Sequence, residues 1–289
     1  MVTLSCSSLS SSGFSTPQRN LLVLTDLDGT LLDHDSYGYD PALPALQQLN
    51  ALQIPVIFVT SKTCAEVEEL RRHLQNPYPF IVENGSALVM PKNYFPHDDQ
   101  TESHKGFDIV RFCPTYAALR QQLQQWRDLY HFDFTGFGDW SDAEVAQQTG
   151  LSLVEAGRAK QRLGSEPFLW NDIDTALVKF SRLISDAGLR LVRGGRFYHV
   201  LGKTDKARAI QVLLGLYQKH FDFSPQTIAL GDSLNDQEML AAADQAVMIK
   251  NHQGQHSVQP GSNPTYYTRA KGPSGWCEAI QSLLESLKE

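Results

Sequence analysis

Two short apolar runs, far apart in the chain, each break off in an acidic turn. Leu21 to Thr25 runs into Asp26-Leu27-Asp28-Gly29-Thr30, and Thr227 to Leu230 runs into Gly231-Asp232-Ser233-Leu234-Asn235-Asp236. Runs of this length and kind read as buried strands that end in loops. They alternate with helical patterns, which implies one parallel sheet with right-handed crossovers. Ligands on such a sheet collect at the carboxyl ends of the strands, where loops converge and helix N-termini offer backbone N–H groups. Both acidic turns fall at that end.

So do the polar ends of the strands between them. After the first turn, Pro41 occupies a first-turn position, and Leu43, Leu46, Leu49 and Leu52 recur at helical spacing. A strand from Ile54 to Val59 ends in Thr60-Ser61, and Thr63 caps a helix with Val67, Leu70 and Leu74 on one face. A third strand, Phe80 to Val82, runs into Glu83-Asn84-Gly85. A length of 289 residues predicts about two domains. The polar, proline-containing stretch after Met90 marks the exit from the first. Residues 106–199 read as a separate α+β unit inserted into a core of residues 20–105 and 200–289, where the strand-helix rhythm returns from Thr204. The predicted fold is α/β: a Rossmann-like parallel-sheet core interrupted by an α+β cap.

Charge and cysteine content remove several classes of function. Lys+Arg at 25 against Asp+Glu at 32 leaves −7, which argues against nucleic-acid and acidic-membrane partners. No apolar run approaches the ~20 residues that cross a bilayer. Cys6, Cys64, Cys113 and Cys277 are too scattered for a zinc site or a disulfide framework, which fits a reducing compartment. Residues 1–19 are serine-rich like an organelle transit peptide, but one arginine and no amphipathic pattern favour a disordered tail and a cytoplasmic protein.

Asp26 and Asp28 lie two apart, with Gly29 allowing a tight turn. Two carboxylates held this close suit a nucleophile beside a general acid, or a shared magnesium ion. Alone, the pentapeptide is also an ordinary acidic turn. The second acidic cluster argues against that, because two solvated turns need not share one sheet end.

D-x-D-G-T after an apolar strand, followed much later by G-D-x-x-N-D, resembles the phosphohydrolases of the haloacid dehalogenase superfamily. The resemblance implies that Asp26 attacks phosphorus, and that Asp28 protonates the leaving alkoxide and then deprotonates the attacking water. It implies Mg2+ bridging Asp26, the Asp28 backbone carbonyl and Asp232, with Asn235 and Asp236 supporting the metal shell. Thr60 matches the superfamily's phosphate-binding hydroxyl. Lys206, with Lys203 as the alternative, matches its phosphate-binding lysine.

Further stretches resemble the mannosyl-3-phosphoglycerate phosphatases: V-T-S-K-T at Val59 to Thr63, V-E-N-G at Val82 to Gly85, Q-R-L-G-S-E-P-F at Gln161 to Phe168, G-G-R-F-Y-H at Gly194 to His199, and K-G-P-S-G-W at Lys271 to Trp276. Together they span nearly everything after Asn20. The resemblance implies a magnesium-dependent phosphomonoesterase acting on a small phosphorylated glycosyl-glycerate, with Ser61, Glu83, Asn84 and Gly85 at the substrate. The alternatives are a sucrose or trehalose phosphate phosphatase, a phosphotransferase, or a non-catalytic phosphosugar-binding module.

The inserted unit concentrates positive charge in an otherwise acidic chain. Arg158, Lys160 and Arg162 surround one helix, and Arg193 and Arg196 flank Gly194-Gly195. A substrate carboxylate needs such donors. Arg158, Arg162, Arg193, Gly194, Gly195 and Arg196 are therefore expected at the substrate, with Ser165 and Glu166 reading hydroxyls. His199 reads as a packed strand residue, and Trp126, Trp140, Trp170 and Trp276 read as core, with Trp140, in the polar loop G-D-W-S-D, the best placed of the four to stack on a sugar.

Overall fold

The computed structural model describes residues 20–97, 100–194, 196–221, 224–258, 261 and 263–286. The serine-rich tail with Cys6, and the expected site residue Gly195, lie outside them.

From β1 (Leu21–Thr25) the chain passes through α1 (Leu43–Ala51) to β2 (Val56–Phe58), and through α2 (Cys64–His73) to β3 (Phe80–Val82). Three strands follow, β4 (Ala87–Pro91), β5 (Glu102–His104) and β6 (Phe107–Arg111). Next come α3 (Tyr116–Tyr130), β7 (Phe134–Gly136), α4 (Asp142–Thr149), α5 (Leu153–Ala159), β8 (Ser165–Trp170), α6 (Asp174–Asp186), β9 (Leu189–Arg193) and β10 (Tyr198–Gly202). The chain closes with α7 (Lys206–Phe221), β11 (Gln226–Gly231), α8 (Gln237–Ala242), β12 (Gln245–Lys250), β13 (Thr265–Lys271) and α9 (Gly272–Ser286).

The central sheet is parallel, in the order β13-β12-β11-β1-β2. A bridge between Val59 and Ile81 carries it on to β3. From β1 the chain builds outward through β2, whereas β11, β12 and β13 build the other way, so the order reverses between β1 and β11. That reversal opens the crevice where ligands bind in such sheets. Asp26 and Asp232 follow the two strands that flank it.

Helices cover both faces. Leu49 of α1 and Trp276 and Ile280 of α9 pack on one, and Leu213 and Tyr217 of α7 and Met239 of α8 on the other. The expected cap on α2 is present: the Thr63 hydroxyl accepts the Glu66 N–H, and Glu66 accepts the Thr63 N–H. Ser141 and Ser152 open α4 and α5 with the same reciprocal bonds.

A second, antiparallel sheet, β7-β8-β10-β9, belongs to the inserted unit, with α3 and α6 packed on one face through Leu123, Trp126, Phe180 and Ile184. Next to the expected boundaries at 106 and 199, β6 pairs along its whole length with β4, in a sheet that continues from β3, and β10 stays paired with the cap strands β8 and β9 as far as Gly202. β4 and β13 are strands that hydrophobic patterning did not separate from loops. Among the described residues no helix is long and apolar enough to cross a membrane.

Candidate active site

β1 ends at buried Thr25, whose hydroxyl accepts the Trp276 indole N–H at 3.0 Å and donates to the Asp26 carbonyl at 2.7 Å. This fixes the chain as it leaves the sheet and turns the Asp26 carboxylate toward α7. There the Lys206 ammonium, the first residue of that helix, lies 2.6 Å from Asp26 and 2.6 Å from Asp236. Lys203, the alternative, is exposed, and its carbonyl accepts from Arg208. The second Asp236 oxygen accepts from the backbone N–H groups of Asp232 and Ser233 and from the Ser233 hydroxyl. Asp232 accepts from Thr30 at 3.1 Å.

Oxygens of Asp26, Asp232 and Asp236 all lie within 4.8 Å of one another, and all three residues are buried. One ammonium, paired with Asp26 and Asp236, lies among three carboxylates. Burial, then the Asp236 charge, holds the Asp26 carboxyl well above the usual carboxylate range, and the same two causes push Asp232 up to about 7. Burial works to lower the Lys206 pKa, but Asp236 and Asp26 outweigh it and hold it above its usual value. The cluster is short of positive charge. Since both Asp236 oxygens are engaged, Asp26 and Asp232 are the carboxylates free to ligate, and hard oxygen donors suit magnesium. The donor set therefore fits the ion.

This charge balance has a measurable consequence. The folded pKa of Asp232 lies above its unfolded value, so between about pH 4 and about pH 7 the folded protein binds more protons than the unfolded chain. Stability without metal falls as pH rises through that window. Ligation keeps the carboxylates ionised, so the stabilisation by metal grows with pH. Saturating magnesium should raise the melting temperature of EDTA-treated protein by on the order of 5 °C near pH 8, and by less near pH 5.5. An equal shift at both, or none, contradicts the assignment.

Asp28 stands apart from this cluster. Its carboxylate lies 2.9 Å from the Lys62 ammonium, which also approaches Glu66 at 3.9 Å and sits 4.7 Å from the centre of the Tyr37 ring. Burial acts to lower the Lys62 pKa, but Asp28 and Glu66 outweigh it and hold the lysine charged. Sequence reasoning did not single out Lys62; its signal was the V-T-S-K-T stretch at the end of β2. Thr60 is buried beside it, and its hydroxyl accepts the Lys62 N–H at 3.1 Å.

Glu83, Asn84 and Gly85 all have positive φ, at 51°, 55° and 90°. Three consecutive left-handed residues are strained, and only the last is at ease there. A Cβ on Gly85 would lie 2.1 Å from the Asp205 carbonyl, so this turn sits against the residue that precedes Lys206. The turn also aims the Glu83 carboxylate at the inserted unit. It accepts from the N–H groups of Leu163 (2.6 Å) and Gly164 (3.1 Å) and from the Ser165 hydroxyl (2.7 Å). Arg162 lies 3.6 Å from it and donates to Ser165 and to the Ser61 carbonyl. Glu83, Arg162, Ser165 and the Ser61 carbonyl thus join core to insertion. Glu83→Ala strands two buried amides and a guanidinium, so unfolding by urea should show a loss of about 3–5 kcal/mol, with Glu83→Gln losing less. A loss below about 1 kcal/mol for the alanine variant rules out this role.

Other expected substrate contacts are also engaged within the protein. Arg158 pairs with Glu69 at 3.0 Å, and Arg196 donates to the Gln148 carbonyl. Glu166 lies on the helix-covered face of the cap sheet, bound by Tyr116, Arg120 and the Gly138 N–H. It cannot read a substrate hydroxyl from there, because strand alternation turns it away from the core. Trp140 packs against Phe137 and Phe197.

Residues 23–153 match the family model described as haloacid dehalogenase-like hydrolase, and residues 190–283 that of sucrose-6F-phosphate phosphohydrolase. A glucosyl-3-phosphoglycerate/mannosyl-3-phosphoglycerate phosphatase from Methanococcoides burtonii is 39% identical over 264 residues, covering 91% of this chain and 97% of that protein. The chain belongs to the haloacid dehalogenase-like hydrolases. A phosphatase of the same description from Persephonella marina is 34% identical over 271 residues, 93% of this chain and 98% of that one. Among solved structures, a haloalkanoate-superfamily phosphatase from Bacteroides thetaiotaomicron shares the fold, with TM-score 0.61 at 19% identity over 94% of this chain and 98% of its own.

In this haloacid dehalogenase-like hydrolase, a cavity of about 120 Å³ opens beside Lys206, between core and insertion. Asn84 and Asn235 line it from the core, and Arg190, Arg193 and Leu201 from the cap sheet. Of the expected cap arginines, only Arg193 reaches it. Its guanidinium lies 5.7 Å from the centre of the Tyr198 ring. Gly194 follows in the same turn, where its N–H donates to the Phe197 carbonyl. Arg190, which the sequence did not single out, is tied to Glu238 at 2.6 Å.

Proposed function

We propose that this chain is a magnesium-dependent phosphomonoesterase that releases phosphate from glucosyl- or mannosyl-3-phosphoglycerate. The observation that carries the reaction is the convergence of Asp26, Lys206 and Asp232 at the sheet's reversal point, with Asp28 one turn away. The extent of likeness to relatives described as phosphatases of these two compounds carries the substrate.

Asp26 attacks phosphorus in line and becomes an aspartyl phosphate as the P–O bond to the substrate breaks. Asp28 gives a proton to the leaving alkoxide, then takes one from the water that hydrolyses the intermediate. Lys206 holds Asp26 in place and faces the transferred oxygens together with Thr60. Asp26, the Asp28 carbonyl and Asp232 are the groups that would hold magnesium, which would supply electrostatic stabilisation of the phosphoryl oxygens. Residues up to about 112 and from about 203 form the catalytic core, and the insertion between them is the cap that selects the substrate. Scattered cysteines that fit a reducing compartment favour a cytoplasmic location.

A second reading, hydrolysis of sucrose 6-phosphate, is favoured by the match over residues 190–283. A phosphate-release assay separates them. The glycosyl-phosphoglycerates should be cleaved with kcat/KM well above sucrose 6-phosphate, trehalose 6-phosphate and p-nitrophenyl phosphate; the opposite ranking refutes the assignment.

A further inference from the structure

The cap sheet has two faces. Phe168 on β8, Val200 on β10 and Leu191 on β9 pack with α3 and α6. Strand alternation turns the residues between them the other way. These are Ser165 and Pro167 on β8, His199 and Leu201 on β10, and Arg190 and Val192 on β9, which the pairing sets side by side. This open face looks onto the catalytic core: Ser165 bonds Glu83, and Leu201, Val192 and Arg190 share a cavity with Lys206 and Asn84.

Two of the three polar residues on that stretch have partners, since Ser165 holds Glu83 and Arg190 holds Glu238. His199 does not. Its Nδ1 is enclosed and makes no hydrogen bond. A buried polar atom left without a partner costs about 1–3 kcal/mol, so a ring nitrogen here calls for a ligand. The Gly194 turn leaves the ring its room, because a Cβ on Gly194 would come within 3.2 Å of Nε2. His199 also stands two residues from Leu201 on the same face, about 7 Å further along the strand. A leaving group anchored by its phosphate beside Lys206 would extend over that distance.

The charge state defines what the ring can recognise. Burial, with the neighbouring Arg162, pushes its pKa down to about 3, so the imidazole is neutral at physiological pH. A neutral imidazole offers one donor and one acceptor, which matches a hydroxyl rather than an anion.

We propose that His199 binds a hydroxyl of the uncharged glycosyl part of the substrate and so selects glycosylated over simple phosphoesters. The proposal rests on the phosphatase reading above. It is tested with His199→Leu, which removes both ring nitrogens, and His199→Asn, which keeps a donor and an acceptor. Wild type and variants are assayed on glucosyl-3-phosphoglycerate, sucrose 6-phosphate and p-nitrophenyl phosphate, with circular dichroism confirming the fold.

For His199→Leu, kcat/KM on the preferred glycosylated substrate should fall on the order of 10- to 100-fold while p-nitrophenyl phosphate changes less than about two-fold, and His199→Asn should recover part of the loss. Parallel loss on all substrates, no loss on any, or equal loss in both variants overturns the proposal. Preference of the wild type for sucrose 6-phosphate overturns the phosphoglycerate reading instead, and His199 is then scored on that ester. A wild type that cleaves only p-nitrophenyl phosphate overturns both.

Discussion

Asp26→Asn should lower turnover by on the order of 10⁴-fold or more, equivalent to about 5 kcal/mol of transition-state stabilisation, while the protein remains folded. The substitution keeps size and shape but removes the attacking charge. The burial and the Asp236 charge that raise the Asp26 pKa mean that a neutral side chain here relieves repulsion. Against that stands the lost ion pair to Lys206. These opposing terms leave stability little changed, so loss of activity cannot be blamed on unfolding. Steady-state rates with saturating magnesium, alongside a urea melt, check both halves. Retained turnover would exclude covalent attack by Asp26.

Lys206→Met has the next largest effect, and it should strike fold and activity together. The ammonium is almost fully enclosed and is the cation shared by two buried carboxylates. Removing one partner of a buried pair leaves charge uncompensated, at a loss of about 3–5 kcal/mol. Without the lysine, the carboxyls are pushed further above their unfolded values. Their protonation in the folded state then stabilises it at low pH, and that contribution is lost as pH rises. The variant should therefore be much weaker than wild type near pH 8 and closer to it near pH 5.5. Activity should fall by about three orders of magnitude even where the fold holds, as expected for loss of a fixed charge at a phosphoryl site. A destabilisation below about 1 kcal/mol near pH 8 would mean that Lys206 does not balance these acids.

The end of the sheet where the two acidic turns meet was legible because its signals are local. A buried strand, an acidic turn and a following helix each leave a pattern within a few residues, and both turns could be assigned to one sheet end from the strand-helix alternation alone. The choice between Lys203 and Lys206 was not local. Both flank the start of α7, and which one meets Asp26 depends on where that helix begins. Glu83 shows the same limit. Its place at a strand end was visible, but its partners at Leu163, Gly164 and Ser165 are separated from it by several elements of the insertion.

The cap was legible as an α+β unit and illegible in detail. Basic residues in the sequence announce charge, not availability: Arg158 and Arg162 are occupied by Glu69, Ser165 and the Ser61 carbonyl. Glu166 and Ser165 are neighbours in sequence, yet alternation sends them to opposite faces. The same parity puts His199 on the face of the cap sheet that carries Ser165 and Leu201. β6 reads as part of the insertion, and its pairing with β4 is a long-range property that composition does not encode.

Covalent phosphorylation of Asp26 is the centre of the account, and its most direct test is capture of the intermediate. Asp28→Asn removes both the acid that protonates an alkoxide leaving group and the base that activates water, so the substrate chosen is one whose leaving group departs without a proton. Mixed with magnesium and ³²P-labelled p-nitrophenyl phosphate, then quenched in acid, this variant should retain label that hydroxylamine releases and that maps to the peptide containing Asp26. Asp28→Asn protein that binds substrate but carries no label, or label on another residue, contradicts the mechanism.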